Sequence, residues 1–352
     1  MTLRAPSSSE EGDRRAIARW LAAVCALVVA MVAVGGVTRL TESGLSIVDW
    51  KPVTGALPPL TEAAWAEEFA RYRRFPQFAV QFRGALSLEQ FKRLFFWEWS
   101  HRLLGRLIGL AYGLPMLWFW RRAGAVPGLR ARLAVGLALG GAQGALGWFM
   151  VKSGLVDLPR VSHYRLCAHL LMAFGTLAWL AWTALDLLHP TPTRPEAPRR
   201  LRRAARAFAA LVTVQVAWGA FTAGLRAGYG YPTWPTMNGA WVPSPFWVGA
   251  PAWRAVFEHT AAVQFVHRWL GALVGVAALA LAAGLRGRAA GDRARAALGL
   301  VGALTSVQFA LGVATVLTSV DLATAVTHQT VGCLLFAAAV NLLHATRGAP
   351  VR

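Results

Sequence analysis

Long apolar runs alternate along this chain with short charged segments. Uncharged stretches cover residues 20–37, 133–151, 166–185, 207–225, 269–285, 296–320 and 322–346. An eighth, 107–120, is shorter, but it extends backwards through FFWEWSHRLLGRL (95–107) to make a full span. Roughly 20 apolar residues cross a bilayer as helix, the backbone being satisfied within the segment. The pattern predicts an all-α polytopic membrane protein with eight transmembrane helices.

The spans repeat. Q-x-x-x-G occurs at Gln143/Gly147, Gln215/Gly219 and Gln308/Gly312, in spans three, five and seven. SHRLLGRLIGLA (100–111) in span two resembles VHRWLGALVGVA (266–277) in span six, while spans four and eight carry RLCAHLL (165–171) and AVTHQTV (325–331). Spans one to four and five to eight read as two copies of a four-helix unit, the chain forming two pseudo-symmetric four-helix bundles. An even number of spans per copy makes the copies parallel, related by an axis along the membrane normal. The predicted organisation is an N-terminal tail (1–19), a first bundle (20–188) with a long outer loop (38–94), a basic linker (189–206), a second bundle (207–346) and a C-terminal tail (347–352).

Composition agrees with a membrane chain: 56% of the 352 residues are hydrophobic and 16 are Trp. The net charge of +20 would suggest nucleic acid in a soluble protein, but its distribution gives another reading. With the N-terminus inside, the inner segments hold 20 of the 36 Lys and Arg residues. Of the 13 outer ones, 8 share the loop 38–94 with 6 acidic residues. Short loops thus obey the positive-inside rule with both termini cytoplasmic, and nucleic acid drops out as a partner. The basic stretch 194–206 reads as a topology-fixing linker beside anionic lipid. The N-terminal MTLRAPSSSEEGDRR is no transit peptide, and the first apolar run reads as a retained anchor. Cys25, Cys167 and Cys333 all fall within spans, so no structural disulfide is expected.

Each even-numbered span carries one histidine in register: His101, His169, His267 and His328. Each lies 17 to 20 residues before the charge at its helix's inner end (Arg121, Asp186, Arg286, Arg347). At 1.5 Å per residue that is roughly 25–30 Å, nearly the hydrocarbon thickness, which places all four near the outer face. Facing histidines on different helices of a bundle hold a haem iron or a metal. A lone intramembrane histidine is as readily a packing residue, but four at one depth in step with a repeat favour bis-His haem ligation. Zinc fits less well, for want of a Cys pair, an H-E-x-x-H or neighbouring carboxylates. His163, His189, His259 and His344 lack this registry and read as interface residues.

One difference breaks the symmetry. Glu98 stands three residues before His101, on the same helix face, where Gln264 precedes His267. A carboxylate at this depth is expected to resist ionisation and to exchange protons, whereas an amide cannot, so the first half is expected to be catalytic. The competing role for Glu98 is as ion-pair partner of Arg102 or Arg106. Arg102 and Arg268 directly follow their histidines and could face haem propionates through their planar fork, or snorkel to headgroups.

At these residues the sequence resembles the haem A synthases, which oxidise a methyl group of haem O to the formyl group of haem A. The resemblance runs through GGVTRLTESGLSIVDWKPVTGALPP (35–59), FWEWSHRLLGR (96–106), GWFMVKSGLVDLPRVSHYRLCAHL (147–170), YPTWPTMNGAWVP (231–243), VQFVHR (263–268) and HQT (328–330). With no cysteine in loop 38–94, it is similar to the α-proteobacterial and mitochondrial branch, and Arg-over-Lys usage favours a bacterium. The resemblance implies His101 and His169 as ligands of the substrate haem, Glu98 as the essential acid, and His267 and His328 as ligands of a retained haem B that relays electrons. Two successive hydroxylations then give a hydrated aldehyde that loses water. It further implies a bacterial inner membrane, haem sites near the periplasm, and haem O synthase and cytochrome oxidase assembly factors as partners; a homo-oligomer is allowed. Pro232, Asn238 and His259 depart from the family pattern. The rival readings are a bis-haem, quinone-linked cytochrome b, and a haem carrier that does no chemistry.

Overall fold

The apolar runs become long helices in the computed structural model of the chain, which describes residues 8–49, 51, 54–154, 161–190, 197–244, 251–285 and 291–347. The α-helices among them are α1 (Ser8–Leu40), α2 (Glu62–Tyr72), α3 (Pro76–Gln81), α4 (Leu88–Phe119), α5 (Leu129–Gly154), α6 (His163–Leu188), α7 (Arg199–Gly224), α8 (Ala252–Glu258), α9 (Thr260–Leu285), α10 (Asp292–Leu317) and α11 (Leu322–Thr346). No strand occurs among the described residues; Met237 and Ala240 form one isolated bridge. The tails at 1–7 and 348–352, residues 191–196 of the linker, residues 155–160 of one family-like stretch, and Arg286 lie outside the described residues.

Seven of these helices are long and apolar enough to cross a membrane: α1, α5, α6, α7, α9, α10 and α11. The remaining long one, α4, carries Glu89, Lys92, Arg93, Glu98, Arg102 and Arg106 in its first two-thirds and falls outside that group. Apolar side chains such as Leu107, Leu114 and Trp118 on α4, Phe149 on α5, Leu279 on α9 and Leu317 on α10 face outward. In water such a belt would be a liability; against lipid tails it is the expected surface. The protein is a multi-pass membrane protein.

Helices run past the apolar stretches that predict them. α1 begins at Ser8, inside the predicted tail, with Glu10 and Glu11 in its first turn, where the helix dipole favours acid. α7 begins at Arg199, so five of the linker's arginines, Arg199 to Arg206, lie in its first turns. α4 starts outside the predicted span at a complete capping box: Ser87 Oγ accepts from the Gln90 amide at 3.2 Å, and Gln90 Oε1 accepts from the Ser87 N–H at 2.8 Å.

The neighbour relations recur along the chain. α1 packs on α4 and α6, and α5 on α6 and α4; likewise α7 packs on α9 and α11, and α10 on α11 and α9. Between these groups α6 meets α7, α1 meets α11, and α6 meets α11. One core joins them, with Val28 and Val32 of α1 packed among Phe174, Phe208, Val274, Val301 and Phe336. A second core, around Leu21, Tyr112, Leu133 and Leu180, packs α1, α4, α5 and α6 together towards the N-terminal end of α1.

The predicted outer loop is itself folded. Tyr72, Phe78, Phe91 and Phe95 form a small aromatic core with Trp65 and Phe69, seating α2 and α3 on the N-terminal end of α4. At the opposite end, Asp186 of α6 accepts from Arg132 of α5 at 2.5 Å and stands 2.9 Å from Nε2 of His344 on α11; Arg347 pairs with it as well. Nδ1 of the fully buried His344 faces Arg293 of α10 at 2.9 Å. His344 thus sits at an interface of α6, α10 and α11, in a cluster that Asp186 extends to α5.

Candidate functional site

Each of the four registered histidines enters the same local cage. His169, His267 and His328 stand six, seven and six residues after the first residues of α6, α9 and α11. His101 lies deeper in its helix only because α4 starts early. Facing each ring is a glycine of a neighbouring helix. A Cβ at Gly35 would lie 3.3 Å from His101 Nε2; at Gly147, Gly219 and Gly312 it would lie 3.0, 3.2 and 3.0 Å from Cε1 of His169, His267 and His328. Contacts that short are closer than side chains ordinarily tolerate, so a side chain here would push the ring away.

The repeated Q-x-x-x-G pattern acquires a purpose. Its glycine is the cradle, and its glutamine, one turn earlier, reaches the histidine's own helix. Gln143 Nε2 donates to the His169 carbonyl at 3.1 Å and lies 3.2 Å from that ring's Nε2. Gln215 Nε2 donates to the His267 carbonyl at 3.0 Å, and Gln308 Nε2 lies 3.5 Å from His328 Nε2. The span-one counterpart, Met31 with Gly35, escaped the sequence reading because methionine replaces the amide that marks the motif.

The histidines meet in pairs. The His267 and His328 rings face each other with centroids 6.4 Å apart and planes at 86°. Metal–imidazole bonds of about 2 Å put the centroids of two rings sharing one ion about 6 Å apart, so the pair is spaced to hold a metal between them. His101 and His169 take the equivalent places in the first half, each against its own cradle glycine. The buried Nδ1 atoms of His169, His267 and His328 lack hydrogen-bond partners. Unsatisfied ring nitrogens at this depth suit ligands to an ion. Among the described residues no third imidazole, thiol or carboxylate joins either pair to make a bare metal site. Two opposed imidazoles with no further ligand could instead hold a haem iron.

Above each first histidine sits a polar roof. Glu98, 3% exposed, has both oxygens engaged: Oε1 with Arg102 Nη2 at 2.5 Å, Oε2 with the Ser46 hydroxyl at 2.8 Å and the Ile47 N–H at 2.6 Å. Arg102 also donates to the carbonyls of Ile47 at 2.7 Å and Asp49 at 3.2 Å, and Arg106 to that of Lys51 at 2.9 Å. In the second half the Gln264 amide, with its nitrogen 2.9 Å from the Ala227 carbonyl, accepts from Arg268 Nη2 at 3.1 Å. Arg268 donates to the carbonyls of Thr233 at 2.7 Å and Tyr231 at 2.5 Å. Glu98–Arg102 and Gln264–Arg268 are thus the acid and amide versions of one arrangement, each clasping the loop after an odd-numbered span. The ion-pair role weighed for Glu98 is present. Both guanidinium groups are turned onto loop carbonyls, contacts that residue spacing alone does not reveal.

His163 stacks on Tyr164 at the start of α6, and His259 and His189 cap the ends of α8 and α6; none joins the pairs. Asn238 takes a left-handed conformation in the second roof loop, with its side-chain nitrogen 3.2 Å from the Gly230 carbonyl.

Comparison with known proteins bears on the same segments. Residues 18–340 match the model of the family described as Cytochrome oxidase assembly protein (COX15-CtaA). The chain belongs to this family. It is 47% identical over 333 residues to a protein named Heme A synthase of Rhodospirillum centenum, covering 95% of this chain and 89% of that one. It is likewise 47% identical over 335 residues to Heme A synthase of Rhodopseudomonas palustris, covering 94% and 91%. To that of Bradyrhizobium diazoefficiens the identity is 46% over 345 residues, covering 96% and 92%.

Proposed function

We propose that the protein is a haem A synthase of a bacterial inner membrane, oxidising a methyl group of its substrate haem O to a formyl group. The observation that carries this reading is the pair of equivalent histidine cages, of which only the first has a carboxylate in its roof. The relatives' shared name supports it across most of the chain.

In this reading α4 is an eighth crossing, and the two sets of matching helix neighbours are pseudo-symmetric four-helix bundles, one at 20–188 and one at 207–346, with both termini cytoplasmic and the cages near the periplasmic side. His101 and His169 hold the substrate haem, and His267 and His328 hold a haem B. The haem B, when bound, supplies a one-electron relay. The chain's own contribution is positional. The glycines admit the rings, the glutamines fix the turns that carry them, and the loops held by Arg102 and Arg268 keep water from the outer side. Haem propionates reaching those arginines share their donors with the loop carbonyls. Glu98, one turn outward of His101, is the acid of the first site, and Arg102 with the Ser46 hydroxyl sets where its proton can go. Lipid surrounds the spans; haem O synthase and oxidase assembly factors are the expected partners, and self-association is compatible with the outward apolar belt.

The likeness of the two cages is what favours the second reading, a bis-haem b-type electron carrier. Extraction and chromatography of the haems bound after co-expression with a haem O synthase separates the two. Haem A or its hydroxylated precursor alongside haem B is expected. Haem B alone, with haem O plentiful, would leave the electron carrier standing.

A further inference from the structure

Three of the four cages are closed by an amide and one by a thioether. Three of the four cradle glycines, Gly35, Gly219 and Gly312, are preceded one turn earlier by a residue that reaches towards the position four after the histidine. Gln215 lies 3.2 Å from a Cβ at Gly271, Gln308 lies 3.0 Å from one at Gly332, and Met31 Cε lies 3.6 Å from one at Gly105. Met31 therefore occupies in space, as well as in register, the place the glutamines hold elsewhere. The consequence is chemical. Gln143 and Gln215 donate across the helix interface to the carbonyl of their histidine, and Gln143 and Gln308 stand beside the ring itself. A thioether has no hydrogen to donate, and methionine's three rotatable bonds make it the most adaptable apolar filler. Between α1 and α4 the place of the glutamine therefore supplies no hydrogen bond to the turn that carries His101, which α1 ties only one turn nearer the start of α4, where Thr38 Oγ1 donates to the Trp97 carbonyl at 3.3 Å.

A substrate haem must enter and its product must leave, whereas a resident haem must stay. We propose that Met31 is a positioning residue that makes His101 the releasable ligand, so that the first cage exchanges its porphyrin while the amide-held second cage retains its own. This rests on the haem reading above. It assigns the difference between a substrate site and a cofactor site to one side chain on α1, remote from the Glu98–Arg102 roof, and makes exchange separable from chemistry.

The test uses the full-length protein purified in detergent after co-expression with a haem O synthase, with excess apomyoglobin as haem acceptor. Haem still bound is extracted over time and resolved by chromatography into haem B and the O/A types. In the wild type the O/A haem is expected to leave faster than haem B. Met31→Gln should slow loss of the O/A haem about tenfold, the worth of one net hydrogen bond, and leave haem B unchanged. Gln215→Met should speed haem B loss by a similar factor and leave the O/A haem unchanged. A merely structural role would shift both haems together, which overturns the proposal, as do unchanged rates in both variants. Should Met31→Gln fail to fold, Gln215→Met decides, since it only removes a donor. Two tightly held haems with equal release rates in the wild type would overturn this inference and leave the haem reading intact; no bound haem at all would overturn both.

Discussion

The two roofs place different chemistry in one geometry. Over His101 a buried carboxylate meets a guanidinium, a hydroxyl and a backbone N–H; over His267 a buried amide meets a guanidinium and a backbone carbonyl. Each arginine then closes a loop that follows an odd-numbered span. The cage scaffold recurs in both halves, and in the roofs acid is exchanged for amide. The lesson is that a site's architecture and its reactivity can be assigned to different residues: the cages are made by glycine and histidine, which recur, and in the proposed function the chemistry belongs to Glu98, which does not.

The comparison breaks most severely at that carboxylate. Glu98→Gln, which makes the first roof resemble the second, should lower formyl formation on the order of 100-fold or more, the range of a lost general acid or base, with haem still bound. Haem A extracted per cell measures it, and normal output would remove Glu98 from the mechanism. Next come the arginines. Arg102→Leu leaves a buried carboxylate without its cation and should cost about 3–5 kcal/mol. Arg268→Leu leaves a neutral amide and unpaired carbonyls and should cost about 1–3 kcal/mol. Thermal unfolding of the two variants side by side reads the difference, and equal losses would mean that the charge at Glu98 does not distinguish the roofs. The smallest effect is at the cradles. Gly312→Ala places a Cβ 3.0 Å from its ring and Gly35→Ala 3.3 Å, so haem retained through purification should fall more for Gly312→Ala than for Gly35→Ala.

Much of this was legible in the residues alone. The helices, the repeat and the four registered histidines follow from apolar run lengths and spacing, because lipid forces the backbone into helix and leaves few polar positions to read. The acid–amide asymmetry was equally visible. The partners of Glu98 and Arg102 were not, since they are a hydroxyl, an amide and two carbonyls of an irregular loop some 50 residues upstream, and backbone groups carry no sequence signature. Helix starts were misjudged for a related reason: charged residues at Ser8–Arg19 and Arg199–Arg206 continue a helix past the apolar stretch once its ends are capped or solvated. Met31 went unseen because the pattern that marks its equivalents is defined by the amide it lacks.

The inner-end cluster carries a consequence for biogenesis. Asp186 closes the fourth of the eight predicted spans, yet His344 and Arg347, two of its three partners, belong to the end of the last, 158 residues or more further along. During synthesis, of these described partners the carboxylate has Arg132 alone until α11 arrives. The final helix therefore completes the first half of the molecule as much as the second, and its insertion is the step at which the assembled chain becomes electrically whole.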